Sequence, residues 1–136
     1  MSNIYYKSII LPQEIYNEGN FHLDNIADFW QDDYSALYQK LITYLKLHNY
    51  HGRYLSNKAL TFHKQDHSII FEEYYGDVIF KLHIRMIDLI DLRHIFEFLI
   101  TNNCILINYY NDKYLGNDIN NYINNVLYFS INKNIS

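Results

Sequence analysis

Cysteine, proline and glycine are scarce in this chain, and each scarcity excludes a class of protein. The single cysteine, Cys104, excludes an internal disulfide framework and a four-cysteine zinc site within one chain. One proline and four glycines argue against collagen-like, linker-like and loop-dominated folds. No apolar run approaches the roughly 18 residues of a membrane-spanning helix, and residues 1–7 lack the pattern of a secretion signal. We therefore expect a cytoplasmic protein with no membrane partner.

What the chain has in quantity is apolar and aromatic surface. Its 136 residues are 49% hydrophobic and only 19% charged, a balance that supports a packed core and argues against disorder. Fifteen tyrosines and eight phenylalanines account for most of an aromatic content of 18%. The length and the absence of internal repeats and linkers predict a single domain that spans residues 1–136.

Apolar positions spaced by three and four predict the helices. The three main ones are expected near residues 33–48, 88–101 and 118–127. Asp32 or Asp33, Asp88 and Asp118 are the expected N-caps, because an aspartate side chain accepts hydrogen bonds from the first free backbone N–H groups of a helix. Two shorter helices are expected, one after Pro12 and one that Asp24 caps and that runs through Trp30.

Strand patterns between these helices predict an α+β fold with a mainly antiparallel sheet, because three strands follow one another without an intervening helix. The first strand, Ile4–Leu11, is expected at an edge of the sheet because Pro12 stops it. The central hairpin spans residues 68–86. With Gly76-Asp77 as its two-residue turn, Phe71 would pair with Leu82 and Glu72 with Lys81.

Seven histidines prompt two hypotheses about chemistry. The spacings His48-x-x-His51 and His63-x-x-x-His67 are compatible with metal ligation on a helix, but the second pair leaves a strand, so we expect no metal site. A histidine-dependent nuclease would use the polar face of the hairpin, where His83 and Arg85 stand beside Lys81 and Glu72. Ordinary pairing of side chains across the sheet explains the same residues, so we expect no catalytic residue and no cofactor.

The basic stretch 40–64 offers a third possibility. It contains five lysines and arginines, no acidic residue, and the aromatic residues Tyr44, Tyr50, Tyr54 and Phe62. Such a mixture suits single-stranded nucleic acid. Several of these aromatic residues fall on an amphipathic helix, however, and the sequence pI is about 5.9, so direct nucleic-acid binding is not expected.

The acidic N-terminal third is the favoured binding surface. Residues 1–39 carry six acidic residues against one lysine, and aromatic residues lie between the acids. Acids steer association with a basic partner, and buried tryptophan or tyrosine supplies binding energy. The residues expected to bind a partner are Glu18, Asp28, Trp30, Asp32, Asp33 and Tyr34.

In size, acidity and the acidic-aromatic stretch Glu14–Tyr34, the chain resembles the small cytosolic immunity proteins of bacterial toxin systems, including contact-dependent inhibition. The resemblance implies a non-enzymatic inhibitor that neutralises a cognate toxin, expected to be a nuclease, by covering its basic active-site cleft. Phage-encoded inhibitors of host defence nucleases are similar by the same criteria. A histidine-dependent nuclease and a nucleic-acid-binding accessory protein remain the alternatives.

Overall fold

One antiparallel sheet organises the chain in a computed structural model that describes residues 4–18, 30, 34–56, 59–74 and 77–135. Its seven strands are β1 (Tyr5–Pro12), β2 (His51–Ser56), β3 (Ala59–His63), β4 (Ile69–Tyr74), β5 (Asp77–His83), β6 (Cys104–Asn108) and β7 (Tyr114–Gly116). They lie in the order β2-β3-β4-β5-β1-β6-β7, and every neighbouring pair is antiparallel.

Helices cover the two faces of this sheet unequally. They are α1 (Gln13–Glu18), α2 (Ser35–Leu47), α3 (Leu89–Thr101) and α4 (Ile119–Ile135). The buried residues of α2, α3 and α4 join one large core with alternate residues of the strands. The short helix α1 packs on the other face, where Ile15 contributes to a smaller core. Among the described residues, none of the helices is long and apolar enough to cross a membrane.

Aromatic side chains fill much of the main core. Tyr122 of α4 is completely buried, and its ring centroid lies 5.1 Å from that of Phe96, 5.7 Å from that of Tyr6 and 5.9 Å from that of Phe80. Aromatic rings of this kind each bury a large apolar area and gain from edge and tilted contacts. Part of the high aromatic content therefore serves packing.

Local signals at the helix ends agree with the sequence. The Asp88 carboxylate accepts hydrogen bonds from the backbone N–H groups of Ile90 and Asp91, at 2.9 and 3.3 Å, and so caps α3. At the end of α2, Asn49 takes the left-handed conformation with φ of 68°, and the Tyr50 N–H donates to the Leu45 carbonyl at 2.9 Å. This bond satisfies one of the last helical carbonyls and turns the chain into β2.

The α+β fold class and the mainly antiparallel sheet are confirmed. The helices predicted near 33–48, 88–101 and 118–127 occur at Ser35–Leu47, Leu89–Thr101 and Ile119–Ile135. Tyr34 precedes α2 without a side-chain capping bond, and the expected caps Asp32 and Asp33 lie outside the described residues. Asp24 and most of the short helix predicted to run through Trp30 also lie outside them.

The position predicted for the first strand is wrong. β1 lies in the middle of the sheet, between β5 and β6, instead of at an edge. Its run Ile9-Ile10-Leu11 is buried on both faces, with Ile10 in the main core and its two neighbours in the smaller one. Pro12 is tolerated because it is the last residue of the strand.

The hairpin is confirmed, but its predicted register is wrong by two residues. Tyr74 lies opposite Asp77, so that Phe71 pairs with Phe80 instead of Leu82. A shift of two residues leaves every side chain on its predicted face. Glu72 and Lys81 are diagonal neighbours, and they still form an ion pair at 2.9 Å.

Candidate partner-binding surface

The smaller core supports a group of tyrosines at one end of the sheet. Ile9 and Leu11 of β1, Ile15 of α1, and Ile105 and Ile107 of β6 form this core, and each is at most 9% exposed. They lie on the sheet face opposite α2, α3 and α4, because strand residues alternate between faces. Half-buried tyrosines pack around it, namely Tyr16, Tyr34 and Tyr109.

Side-chain contacts connect these tyrosines to α1 and β7. The Tyr34 hydroxyl donates a hydrogen bond to Glu14 Oε2 at 2.6 Å. The Tyr16 ring lies 4.9 Å from the Tyr114 ring, centroid to centroid, and the Tyr114 hydroxyl donates to Gln13 Oε1 at 3.3 Å. Three separate segments of the chain are thus held together through tyrosine side chains.

The turn between β6 and β7 extends the group outward. Tyr110 packs edge-on against Tyr109 with ring centroids 5.2 Å apart, and Lys7 Nζ lies 5.5 Å from the Tyr109 ring. The Asn108 side chain orders this turn by accepting a hydrogen bond from the Tyr110 N–H at 2.8 Å. We call the resulting group the tyrosine surface, and it comprises Tyr16, Tyr34, Tyr109, Tyr110 and Tyr114.

Two members of the tyrosine surface offer substantial area to solvent. Tyr110 is 54% exposed and Tyr114 is 42% exposed. A tyrosine whose ring is braced by a neighbour loses little conformational entropy on binding, because only two side-chain torsions need to be fixed. This surface can therefore anchor a protein partner through rings that are already ordered.

The structure places the predicted binding residues unequally. Tyr34 belongs to the tyrosine surface. Glu18 is the last residue of α1 and follows Tyr16 of that surface closely in the sequence. Trp30 is only 1% exposed and packs 6.5 Å from Tyr38 in the main core. This position corrects the expectation of a surface anchor, since a buried indole offers no area to a partner. Asp28, Asp32 and Asp33 lie outside the described residues.

Sequence reasoning missed the second half of this surface. Tyr109, Tyr110 and Tyr114 lie some ninety residues from Tyr16 in the chain, and only the pairing of β1 with β6 brings them together. The run Tyr109-Tyr110-Asn-Asp at the end of a buried strand carried a local signal, because Asn and Asp favour turns and turns expose their side chains.

The residues that the nuclease hypothesis names make contacts with other parts of the fold. Lys81 Nζ pairs with Glu72 Oε2, and the Tyr5 ring packs edge-on against the His83 ring at 5.3 Å. His83 Nδ1 accepts a hydrogen bond from the backbone N–H of Arg85 at 3.2 Å. Arg85 itself lies in the turn after β5, away from the strand positions that hold Lys81 and Glu72.

The described residues give little support to a cysteine nucleophile or to a metal site. Cys104 is completely buried, and burial raises the pKa of its thiol to about 12, which disfavours the nucleophilic thiolate. The rings of His63 and His67 stack 4.4 Å apart. No group of three or more His, Cys, Asp or Glu side chains in the part of the chain that the structure describes has a metal-binding arrangement.

In the basic stretch 40–64, most of the aromatic residues are buried or half-buried. Tyr50 and Phe62 are 4% and 5% exposed, and Tyr44 packs 5.0 Å from Phe98, whereas Tyr54 is 77% exposed. An aromatic ring must be accessible to stack on a nucleic-acid base. One largely exposed ring among four does not form a stacking platform.

An open groove of about 720 Å³ lies at the end of α2, between the β3–β4 loop and α3. Lys64 and Asp91 form an ion pair of 2.7 Å in its wall. The groove is open and lined by polar and charged residues, without the enclosed apolar wall of a typical small-molecule site. Comparisons of the chain with models of known protein families, with curated proteins and with solved structures give no match.

Proposed function

We propose that the protein is a non-enzymatic inhibitor of the immunity type, which binds a cognate toxin in the cytoplasm and covers its basic active-site cleft. The observation that carries this proposal is the tyrosine surface, in which Tyr110 and Tyr114 are exposed but braced by neighbouring rings. Tyrosine is enriched among the residues that dominate protein–protein binding energy. The expected toxin is a nuclease, because a nuclease must hold phosphates in a cationic cleft.

The charge of the adjoining chain fits such a partner. The segment that connects Tyr16 to Tyr34 carries Glu18, Asp24, Asp28, Asp32 and Asp33, with no lysine or arginine. Glu14, which accepts the hydrogen bond from Tyr34, adds an exposed carboxylate on α1. Long-range attraction between these acids and a basic cleft accelerates encounter, and the tyrosines then slow dissociation.

A competing enzymatic function is less well supported. Among the described residues, the lysine, glutamate and histidine of the hairpin are held by one another or by the backbone. Inhibition by occlusion requires only a complementary surface and no catalytic group. The inhibitor hypothesis therefore requires no free catalytic group among the described side chains, whereas a nuclease does.

The proposal is tested by purifying the full chain from its native cell and identifying any stoichiometric partner by mass. A secreted or injected bacterial toxin supports immunity, whereas a host defence nuclease identifies the phage-type inhibitor. Nucleic acid in place of a protein contradicts both and favours the basic stretch. The purified toxin should then lose its activity at a one-to-one ratio with this protein.

Matched variants locate the interface. Tyr110→Ala or Tyr114→Ala should weaken toxin binding at least about thirtyfold, the equivalent of about 2 kcal/mol. Tyr54→Ala and Tyr128→Ala are the controls, because these tyrosines are 77% and 71% exposed on β2 and α4 and should alter the Kd less than about twofold. Equal effects of all four substitutions would show that the tyrosine surface is not the interface.

Charge-reversal variants test whether the acidic residues steer association with the toxin. Asp32→Lys should slow association and reduce its dependence on salt, with a smaller effect on dissociation. Glu97→Lys, on an exposed position of α3, makes the same charge change outside the acidic N-terminal segment. An association rate that responds equally to both substitutions reflects net charge alone and contradicts local steering.

A further inference from the structure

The sheet has a second recognition feature at the edge farthest from the tyrosine surface. β2 pairs with β3 on one side, and none of the described strands pairs with it on the other. The side chains from His51 to Tyr54 are all exposed. An exposed edge strand presents unpaired backbone N–H and C=O groups, onto which another extended chain can add.

Arg53 and three histidines line one face of this edge. His51 and Arg53 project from the same face, since they are two residues apart in a strand. His63 lies directly across from His51 on β3, and the His67 ring stacks on His63. Burial, followed by the charges of His67, Arg53 and His51, lowers the pKa of His63. Arg53 and these imidazole rings place N–H donors for a carboxylate beside β2.

Two of the acids near this edge are paired with lysines, and a third, Asp66, is not. The Ser68 backbone N–H donates to Asp66 Oδ1 at 3.0 Å, which lowers the Asp66 pKa and favours its charged form. Asp91 of α3 pairs with Lys64, and Glu72 of β4 pairs with Lys81. The charges of the last two acids are thus balanced within the protein, while Arg53 and the histidines face solvent or one another.

We propose that β2 is a docking site for an extended acidic segment of a protein partner, which adds to the sheet as an eighth strand. Backbone hydrogen bonds would hold the segment, and alternate glutamates or aspartates would lie beside Arg53 and His51. A nucleic acid fits less well, because phosphate oxygens accept hydrogen bonds but leave the carbonyls of β2 unpaired. A second copy fits less well too, because antiparallel pairing of two β2 strands brings like charges together.

This interaction is separate from the proposed inhibition. β2 and β7 are the two edges of a seven-stranded sheet, and six spacings of about 4.8 Å place them about 29 Å apart. A partner on the tyrosine surface would therefore leave β2 accessible. We assign the acidic segment at β2 to a second protein, distinct from the toxin.

The test uses the full chain and a fluorescent peptide of about six residues that alternates glutamate with valine, the length of β2. Anisotropy should show saturable binding that weakens as the salt concentration is raised, because salt screens the attraction between Arg53 and the glutamates. Arg53→Glu should weaken binding at least about tenfold. Arg93→Glu, an exposed position on α3, should change it less than about twofold.

Backbone methylation distinguishes strand addition from simple charge attraction. Successive N–H groups of a strand point to opposite edges, so methylating the odd-numbered amides blocks one edge of the peptide and methylating the even-numbered amides blocks the other. Strand addition predicts that one methylated peptide loses binding and the other retains it. Equal binding of both methylated peptides and the parent overturns the proposal.

Three further outcomes would also overturn it. A single-stranded oligonucleotide of equal charge that binds as tightly as the peptide would show a general polyanion surface. Concentration-dependent dimerisation that Arg53→Gln alters would identify a second copy as the occupant. If Tyr110→Ala abolished peptide binding, the peptide site would lie on the tyrosine surface instead of on β2. If this variant bound the peptide normally, the docking site at β2 and the inhibitor function could fail independently of each other.

Discussion

A buried carboxyl at the start of β5 makes the stability of this protein depend on pH in a defined way. Asp77 is 7% exposed, and its Oδ1 accepts no hydrogen bond from the described residues. Burial without a compensating partner disfavours the charged form. It raises the pKa of Asp77 from 3.8 to about 7.

The sign of the effect follows from linkage. Because the folded pKa lies above the unfolded one, the carboxyl takes up a proton on folding at any pH between the two values. Its contribution to stability is full below about pH 4, declines as the pH rises towards 7, and then stays constant. The difference between the two pKa values corresponds to a loss of about 4 kcal/mol across this interval.

Asp77→Asn isolates this contribution. The amide has nearly the same shape and no charge, and its own cost is the same at every pH. Urea unfolding of both proteins at intervals from about pH 4 to about pH 8 gives the free energy of unfolding of each. The variant should gain about 2 to 4 kcal/mol relative to the parent between these limits.

Other titrating groups, including the seven histidines, are common to both proteins and cancel in the difference. Asp112→Asn is the matched control for the loss of one acidic side chain, since Asp112 is exposed in the β6–β7 turn. A difference between Asp77→Asn and the parent that is independent of pH would refute the reasoning. It would mean that Asp77 is ionised in the folded protein.

Three other predictions concern packing and backbone geometry. Cys104 should react with an aromatic disulfide reagent at least about a hundredfold more slowly in the folded chain than in urea, because its thiol is buried and its pKa is raised to about 12. Gly52→Ala should cost about 1 to 2 kcal/mol in urea unfolding, since the new Cβ would lie 2.7 Å from Cε1 of Phe62. Asn49→Ala should cost about 1 kcal/mol in thermal unfolding whereas Asn49→Gly should not, because residue 49 has φ of 68°; equal costs would contradict a conformational origin.

Helices were the more predictable elements because their signals are local. Asp88 and the spacing of Leu92, Phe96 and Leu99 place α3 within one residue of its observed start. β2 escaped prediction for the opposite reason. An edge strand with exposed side chains has no alternation of apolar and polar residues, and His51-Gly52-Arg53 carries none.

Strand register and contacts between distant segments could not be predicted from local sequence signals. The hairpin pattern fixes which face Glu72 and Lys81 occupy, but a register shift of two residues preserves that pattern and escapes detection. Tyr34 and Trp30 were both predicted as binding residues from the acidic residues around them. Tyr34 packs against the smaller core, whereas Trp30 is buried in the main core. Tyr110 and Tyr114 join the surface only because β6 pairs with β1, a contact between distant segments.

The central place of β1 dictates the order in which this chain can fold during synthesis. Its two neighbours, β5 and β6, emerge from the ribosome only after residues 83 and 108 have been added. Until then Ile9, Ile10 and Leu11 have no sheet to enter, and closing such long loops makes folding slow. A nascent chain, or a fragment that stops before Cys104, can pair β1 with β5 but leaves the other edge of this apolar strand unpaired. Such a fragment should depend on chaperones and aggregate without them.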